Sequence, residues 1–331
     1  MPSDPRTEQD NADSVTDGLA EAATVAGYAP SIHNTQPWRW RLTGDTLDLY
    51  IERSRVLEVT DPDTRLATLC CGVALHHART ALAAQGRHAG VTRMPNPADQ
   101  DHLAHLRVDG PAPVDPRADQ LMRTIPLRHT DRRPVTGAPV GRENLRVITS
   151  AVEAEGAWLH ILHADQVLDL ASAADRAQRA EASDPAWQAE LAYWSGAARP
   201  AGAGLPDAVI PQAAPQTTVP GRDFGHPGDL AISAAHDRAA VFAILYGRSD
   251  EPSDWLRAGE ALSAGWLTAT ERGVSVMPLS APVEVVGTRD TMRRLLAYLN
   301  HPYLVLRLGI PPAGGPPPTP RLRPDQIIER L

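Results

Sequence analysis

Two alanine-rich segments with matching glycine spacing constrain the fold of this chain more than any other feature. Gly72–Leu75 (GVAL) is followed by Gly86, and Gly259–Leu262 (GEAL) is followed by Gly273 after the same number of residues. Each segment is typical of a buried helix whose first glycine permits close helix packing and whose last glycine suits a C-cap. We therefore expect a degenerate internal duplication, with chance similarity between two alanine-rich helices as the alternative.

The length of 331 residues corresponds to about two domain-sized units. We expect a disordered N-terminus over residues 1–17, a first repeat over 18–116 and a second repeat over 117–331. A proline- and glycine-rich insertion over about 184–228 falls inside the second repeat. An insertion of that length is usually functional, often a lid, and a disordered insertion is the alternative.

Hydrophobic periodicity predicts a mixture of helices and strands. The pattern predicts helices over residues 18–28, 65–85, 119–125, 143–154 and 258–270. It predicts a hairpin over 38–51 and single strands over 103–108, 158–162, 241–246 and 303–308. The pattern therefore predicts a chain that contains both helices and strands.

Composition excludes several classes of function. The formal net charge is −8, and all 32 basic residues other than histidine are arginines. Without lysine the chain cannot use a Schiff-base or a Walker-A mechanism, and its acidic balance disfavours nucleic acids and membranes. Cys70 and Cys71 are adjacent and too few for a disulfide framework. With no signal peptide or membrane-spanning run, we expect a cytoplasmic protein.

Histidine pairs provide no convincing metal site. His102 and His105, like His160 and His163, have a spacing that could ligate a metal, but no third ligand lies nearby in the sequence. We expect these histidines to be exposed or packed in the core, and we predict no metal centre.

A polar loop follows the first predicted helix. Ser31, Asn34 and Gln36 place a hydroxyl and two amides in one short segment before Trp38. Because an amide offers both a donor and an acceptor, this set suits the mixed polar edge of a flavin or a pyrimidine ring. A polar turn without function is the alternative.

A second motif combines two arginines with a hydroxyl. In an extended chain the spacing of Arg128, Thr130 and Arg132 places all three side chains on one face. Two guanidinium groups that flank a hydroxyl match a phosphate dianion. A solvated basic loop is the alternative, and it is the co-occurrence of both motifs that favours a nucleotide-like cofactor.

These segments resemble the nitroreductase family, and in particular its Acg-like actinobacterial branch. APSIHNTQPWRW is similar to the flavin-contacting loop of that family. Four more segments resemble the branch, namely DPDTRLATLCCGVAL, PLRHTDRRPV, DWLRAGEALSAGWLTATERGVSVMPLS and LRLGIPP with PPPTPR. The resemblance covers about residues 18 to 323. It implies an α+β, nitroreductase-like fold in which two fused half-repeats form an intramolecular pseudo-dimer with a proline-rich lid.

The resemblance also implies a set of FMN-binding residues, with one FMN per chain. Arg128, Thr130 and Arg132 match the phosphate segment, and Arg321 matches a C-terminal arginine near the phosphate. The residues implied at the isoalloxazine are Pro30, Ser31, His33, Asn34 and Gln36 of the loop and Pro278, Leu279 and Ser280. In the last segment Ser280 and Ala281 replace the glutamate and glycine that are usual in the family.

The implied function is FMN-dependent hydride transfer through flavin N5, between NAD(P)H or an organic donor and a small acceptor. We assign no catalytic side chain, because the flavin carries the hydride chemistry. The alternatives are a non-catalytic FMN-binding or storage protein with a closed lid, and a scaffold whose flavin site has decayed. We expect a monomer, since the duplication supplies both sides of the site, with a homodimer as the alternative.

Overall fold

The structure, a computed structural model, describes residues 5–135, 137–232 and 236–331, with side chains from Ser14 onward. The helices are α1 Pro5–Ala26, α2 Arg65–Ala84, α3 Pro116–Thr124, α4 Arg142–Ala154, α5 Ala164–Ser183, α6 Pro185–Ser195, α7 Pro252–Glu271, α8 Ala281–Glu284, α9 Val286–Leu295 and α10 Pro324–Ile327. The strands are β1 Trp38–Thr43, β2 Thr46–Ile51, β3 Arg87–Arg93, β4 His102–Pro111, β5 Trp158–Ile161, β6 Val241–Gly247, β7 Ser275–Leu279, β8 His301–Gly309 and β9 Ile328–Arg330. The predicted α+β class is confirmed.

The strands form two sheets, one from each half of the chain. The first sheet has the order β3-β4-β2-β1-β9, and the second has the order β5-β6-β8-β7. Strand β9 comes from the end of the chain and pairs parallel to β1, with Ile328 opposite Trp40. The C-terminal residues therefore cross from the second half of the chain to the first.

The predicted hairpin is confirmed as β1 and β2, which pair antiparallel from Trp38–Ile51 to Thr43–Thr46. Alternation along β1 buries Trp38 and Trp40 completely, while the arginines between them stay partly exposed. Period-2 alternation of this kind is expected of a sheet with one face on the core.

Helices α2 and α7 cross at the two glycines that the sequence singles out. A Cβ atom on Gly72 would lie 2.0 Å from the carbonyl oxygen of Leu256, and one on Gly259 would lie 1.9 Å from that of Leu69. The contact is reciprocal, since each glycine meets the carbonyl three residues before the other. Helix α2 also packs on the first sheet and α7 on the second, so this crossing joins the two halves.

Two predictions from the sequence differ from the structure. Helix α1 begins at Pro5, so residues 5–17 are helical where disorder was expected, and residues 1–4 lie outside the described residues. Proline suits a first helical turn, and no glycine interrupts the helix before Gly18. The insertion expected over 184–228 begins with helix α6, which Asp184 caps by accepting from Ala186 N at 2.9 Å. The irregular part, here called the proline-rich segment, is residues 196–232.

Among the described residues, none of the helices combines the length and the apolar character that crossing a bilayer requires. The described residues form one large hydrophobic core that extends through both halves, and a second, smaller core that lies under the proline-rich segment.

Candidate cofactor site

The loop after α1 has an unusual backbone. His33, Asn34 and Gln36 have φ values of 47°, 56° and 55°, in the left-handed region that side chains other than glycine rarely adopt. Each such residue costs about 1–2 kcal/mol. The loop is held by its own hydrogen bonds, since Gln36 N donates to Ser31 Oγ at 2.8 Å and Asn34 N to Ser31 O at 3.0 Å. Strain that is stabilised in this way is typical of binding loops.

Asn34 and Gln36 use their amides to hold distant parts of the chain. Asn34 Nδ2 donates to Gly204 O and Pro320 O, both at 3.0 Å. Gln36 Nε2 donates to Gly202 O at 2.8 Å, and its Oε1 accepts from Leu322 N at 3.0 Å. These bonds tie the base of the proline-rich segment and the C-terminal segment to the loop.

A cleft lies between the two halves, directly above the crossing of α2 and α7. It holds about 1240 Å³ of space between atoms, including the part that is open to solvent. Its floor and walls come from the loop, α2, α7 and β7, and include Pro30, Ser31, His33, Leu66, Leu69, Cys70, Val73, Leu262, Trp266, Met277, Pro278, Leu279 and Ser280.

A smaller pocket continues the cleft at its arginine-rich end. The two share Pro30, Ser31, Thr130 and Arg132, and the smaller pocket adds Asn34, Arg128 and Arg321. Thr130 forms an isolated parallel bridge with Val276 of β7, which places the arginine motif beside the start of that strand. Eleven of the twelve residues predicted from the sequence therefore border this continuous space. Gln36 does not border either pocket, because it is fully buried and holds the C-terminal segment instead.

Arg128 is a buried cation with little compensation. Its side chain stacks on Trp266, with Cζ 4.5 Å from the ring centroid, and its Nη2 donates to Tyr28 O at 3.3 Å. Its Nε and Nη1 have no hydrogen-bond partner within the described part of the chain. Burial, and then the charge of Arg321, hold the pKa of Arg128 well below its usual range. Such a group requires an anion or several acceptors for stability.

The two neighbouring arginines are similar. Burial lowers the pKa of Arg132 and of Arg321 to about 10 in each case. Arg132 donates to Val209 O at 3.4 Å, and Arg321 donates to Asn34 Oδ1 at 2.5 Å and to Thr319 Oγ1 at 2.8 Å. Over residues 14–135, 137–232 and 236–331, none of these three arginines lies within ion-pair distance of a carboxylate. The end of the cleft is therefore a strongly cationic and poorly hydrated site.

His33 contributes an uncharged imidazole to the wider part of the cleft. Burial, followed by the charges of Arg222 and Arg132, holds the pKa of His33 well below its usual range. Its ring meets the edge of Phe224 at a centroid distance of 6.4 Å, and its Nε2 has no partner among the described residues. A neutral imidazole offers one donor and one acceptor, which suits a polar ring edge.

The proline-rich segment also lines the cleft. It contributes Pro211, Pro215, Thr217, Pro220, Gly221, Arg222 and Phe224 to the lining. Reasoning from the sequence missed Arg222 as well as Cys70 and Trp266, because each lies in a segment whose local pattern indicates only a loop or a core helix. No local signal could have identified Arg222.

Three of the four histidines in the two pairs contact a neighbouring polar side chain. His102 Nε2 and His105 Nδ1 each lie 2.7 Å from Asp48 Oδ1 on the first sheet. His160 lies 3.1 Å from Gln166 Oε1. In the portion of the chain with described side chains, no cluster of three or more His, Cys, Asp or Glu is placed to hold a metal ion.

Comparison with known proteins identifies relatives. No family model matches the chain. A Mycobacterium tuberculosis protein provisionally named NAD(P)H nitroreductase is 37% identical over 313 residues, which cover 92% of this chain and 89% of that protein. The protein of the same organism provisionally named NAD(P)H nitroreductase acg is 34% identical over 319 residues, which cover 95% of this chain and 96% of the relative.

The solved structures that match this chain do so with low sequence identity and low TM-scores. An FMN-bound nitroreductase from Bacteroides fragilis is 13% identical with a TM-score of 0.37, over 61% of this chain and 94% of its own. An FMN and NADPH-dependent nitroreductase from Sphigopyxis sp. strain HMH is 15% identical with a TM-score of 0.41, over 63% and 97%. The curated relatives, by contrast, exceed 30% identity over nearly the whole chain. The chain therefore belongs to the nitroreductase family, together with the Acg protein of Mycobacterium tuberculosis.

Proposed function

We propose that this protein binds one FMN per chain in the cleft and acts as an FMN-dependent oxidoreductase of nitroreductase type. It would transfer hydride between NAD(P)H or an organic donor and a small acceptor. The observation that carries the proposal is a group of three arginines at one end of an apolar cleft, Arg128 buried and Arg132 and Arg321 half-buried, which have no carboxylate partner in the described structure. The names of the curated relatives support the same activity.

The arginine-rich end would hold the phosphate. Arg128 has two unpartnered N–H donors in a buried position, and Arg132 and Arg321 add further guanidinium donors beside the Thr130 hydroxyl. Charge-assisted bonds from guanidinium to phosphate are the strongest available to this chain, which has no lysine. The same bonds would offset the cost of burying the three cations.

The wider part of the cleft would hold the isoalloxazine ring. Leu262, Trp266 and Met277 supply an apolar surface, and the end of β7 brings backbone groups of Pro278–Ser280 to its edge. When bound there, FMN supplies the two-electron chemistry. The chain orients the ring, excludes water through the proline-rich segment and offers the neutral His33 as a hydrogen-bonding group.

The phosphate assignment is tested by replacing two arginines together. The Arg128→Ala/Arg132→Ala variant should fold, because neither side chain has a carboxylate partner, yet it should purify without flavin colour. The measurement is the absorption spectrum with the FMN content per chain. Arg133→Ala is the matched control, since Arg133 lies in the same loop but pairs with Asp131 at 2.8 Å. A double variant that retains one FMN per chain would overturn the proposal.

The internal duplication and the domain boundaries are part of the proposal. Residues 18–116 would form the first half-repeat, which carries the loop, and residues 117–331 the second, which carries the arginine motif. The reciprocal contact of Gly72 and Gly259 supports this pseudo-dimer. One site per chain follows, so a monomer binding one FMN is expected in sedimentation and titration experiments.

A second candidate function is flavin storage without turnover. It is favoured by the proline-rich segment, which lines the cleft on the side where a reductant would enter. Anaerobic addition of NADPH to the flavin-loaded protein distinguishes the two. Bleaching of the flavin spectrum supports the oxidoreductase, and a protein that stays yellow with every nicotinamide tried supports storage.

A further inference from the structure

The proline-rich segment carries one buried arginine that is fully paired. Arg222 Nη1 lies 2.9 Å from Glu181 Oε2, and its Nη2 lies 2.5 Å from Glu284 Oε2. The side chains of Arg222, Glu181 and Glu284 are 9%, 5% and 0% exposed. Arg222 therefore connects the segment to α5, which carries Glu181, and to α8, which carries Glu284.

In the described structure, Glu181 and Glu284 form ion pairs with Arg222 and with no other cation. Burial is the main cause that raises the pKa of Glu181 to about 7, and the charge of Glu284 acts in the same direction. Asp61, which accepts from Leu66 N and Ala67 N at the start of α2, faces the same group. Within the described structure, Arg222 is thus the one cation that compensates this buried acidic cluster, and it belongs to a segment that is mostly irregular.

The two ends of the proline-rich segment are held differently. Near its base, Gly202 and Gly204 are fixed to the loop by amide hydrogen bonds from Gln36 and Asn34. At the tip, Gly221 O accepts from Gln178 on α5, and Phe224 lies against His33. The part between base and tip crosses the cleft. The tip can therefore move only when the Arg222 ion pairs separate.

We propose that the ion pairs of Arg222 with Glu181 and Glu284 hold the proline-rich segment closed and so determine access to the cleft. Arg222 is here called the latch, and the Glu181–Glu284 pair its socket. An ionic contact suits this task because all three charges regain hydration when they separate, whereas an apolar contact would expose surface to water. The latch holds the tip over His33 and Arg132 when closed. The inference concerns this chain alone and stands independently of whether the ligand in the cleft is a flavin.

The two adjacent cysteines provide an internal measurement of opening. Cys70 lines the cleft beneath the segment, whereas Cys71 is fully buried and donates to Pro37 O at 3.4 Å on the core side. Both thiols are protected by burial, which raises the pKa of Cys70 to about 12 and that of Cys71 well above its usual range. Opening of the segment exposes Cys70, and unfolding of the core is required to expose Cys71.

The test is the rate of thiol labelling by a maleimide in full-length protein from which flavin has been removed, because a ligand in the cleft would itself shield Cys70. Cys71→Ala leaves Cys70 as the probe, and Cys70→Ala leaves Cys71. In both backgrounds Arg222→Met is compared with Arg199→Met, a control in the same segment whose guanidinium donates to the backbone of Gly196. Loss of the latch should accelerate labelling of Cys70 by about tenfold or more and leave that of Cys71 within about twofold.

Each outcome decides the proposal. Equal acceleration of both cysteines in Arg222→Met means that Arg222 stabilises the whole fold, and an unchanged Cys70 rate means that the segment is held by other contacts. Either result overturns the latch. Because Arg222→Met can lower stability too far for measurement, Glu284→Gln serves as the second variant. It keeps the shape of the socket, removes the fully buried charge and should give the same selective acceleration of Cys70 labelling.

Discussion

The arginines at the arginine-rich end of the cleft and the arginine of the proline-rich segment are all buried or half-buried, but their surroundings are opposite. Arg128, Arg132 and Arg321 have backbone, hydroxyl and amide acceptors at most. Arg222 has two carboxylates within 2.9 Å. A buried or half-buried cation without an anion is costly, so a chain that retains three such arginines together has a use for the charge. This difference distinguishes the three arginines that are available to bind an anionic ligand from Arg222, which stabilises the fold.

The largest expected effect is on stability without flavin. In FMN-free protein, Arg222→Met should lower the free energy of unfolding by about 3–5 kcal/mol, because it leaves two carboxyl groups buried without a cation. Arg128→Met should change it by less than about 1 kcal/mol or raise it, because it removes an uncompensated charge. Urea denaturation of both variants measures the contrast. If the two substitutions cost the same, the distinction between ligand-binding and structural arginines is wrong.

The next effect concerns the phosphate group of the proposed cofactor. The wild-type protein should bind FMN about 100-fold more tightly than riboflavin, because each charge-assisted hydrogen bond to phosphate contributes about 1.5–3 kcal/mol. Arg128→Met should reduce that preference to about tenfold or less, and Arg222→Met should retain it. Quenching of flavin fluorescence gives both dissociation constants. If the preference disappears in Arg222→Met, the phosphate lies near Arg222 and its assignment to the arginine-rich end is wrong.

Local motifs made much of the site predictable from the sequence. The spacing of Arg128, Thr130 and Arg132 fixes their common face, and the structure places all three at one pocket. The hairpin and helix α2 are confirmed for the same reason, since alternation and helical periodicity are local. Gln36 shows the limit of such reasoning. The side-chain amide of Gln36 could hydrogen-bond a ligand, but its oxygen instead accepts from Leu322 N in the C-terminal segment, nearly 300 residues away in the sequence.

Contacts between distant segments could not be predicted. Nothing near Arg222 in the sequence indicates that α5 and α8 provide its two carboxylates, because that pairing depends on how the halves pack. The helical start of α1 and helix α6 were missed for a different reason. Both lie in polar or proline-bearing stretches, where composition suggests loops, whereas capping by Asp184 and the proline at the first turn favour a helix.

A smaller effect follows from the pKa of Glu181. Folding raises it from its ordinary value of 4.5 to about 7, so the folded protein binds this proton more tightly than the unfolded chain. The stabilisation is complete below pH 4.5 and is lost as the pH rises through 7. Between pH 5 and pH 8 the wild type should therefore lose about 2 kcal/mol more stability than Glu181→Gln, which cannot ionise. Asp61, whose pKa is also about 7, contributes equally to both proteins.

Urea denaturation at several pH values measures this difference. Parallel stability curves for the wild type and Glu181→Gln would mean that the carboxyl group remains ionised beside Arg222 throughout. Glu181 would then carry no proton at neutral pH, and the prediction that its burial favours the protonated form would be wrong.

The smallest effect tests the unpaired arginines with an inorganic anion. Phosphate should bind FMN-free protein at the arginine-rich end and, at about ten times its dissociation constant, stabilise it by about 1.4 kcal/mol relative to chloride at equal ionic strength. Arg128→Met/Arg132→Met should lose this gain, whereas Arg222→Met should keep it, because its guanidinium is already neutralised by Glu181 and Glu284 in the wild type. Thermal unfolding in the two buffers measures all three proteins. A gain that persists in the double variant would show that phosphate acts elsewhere on the surface, and the three cations would no longer qualify as an anion site.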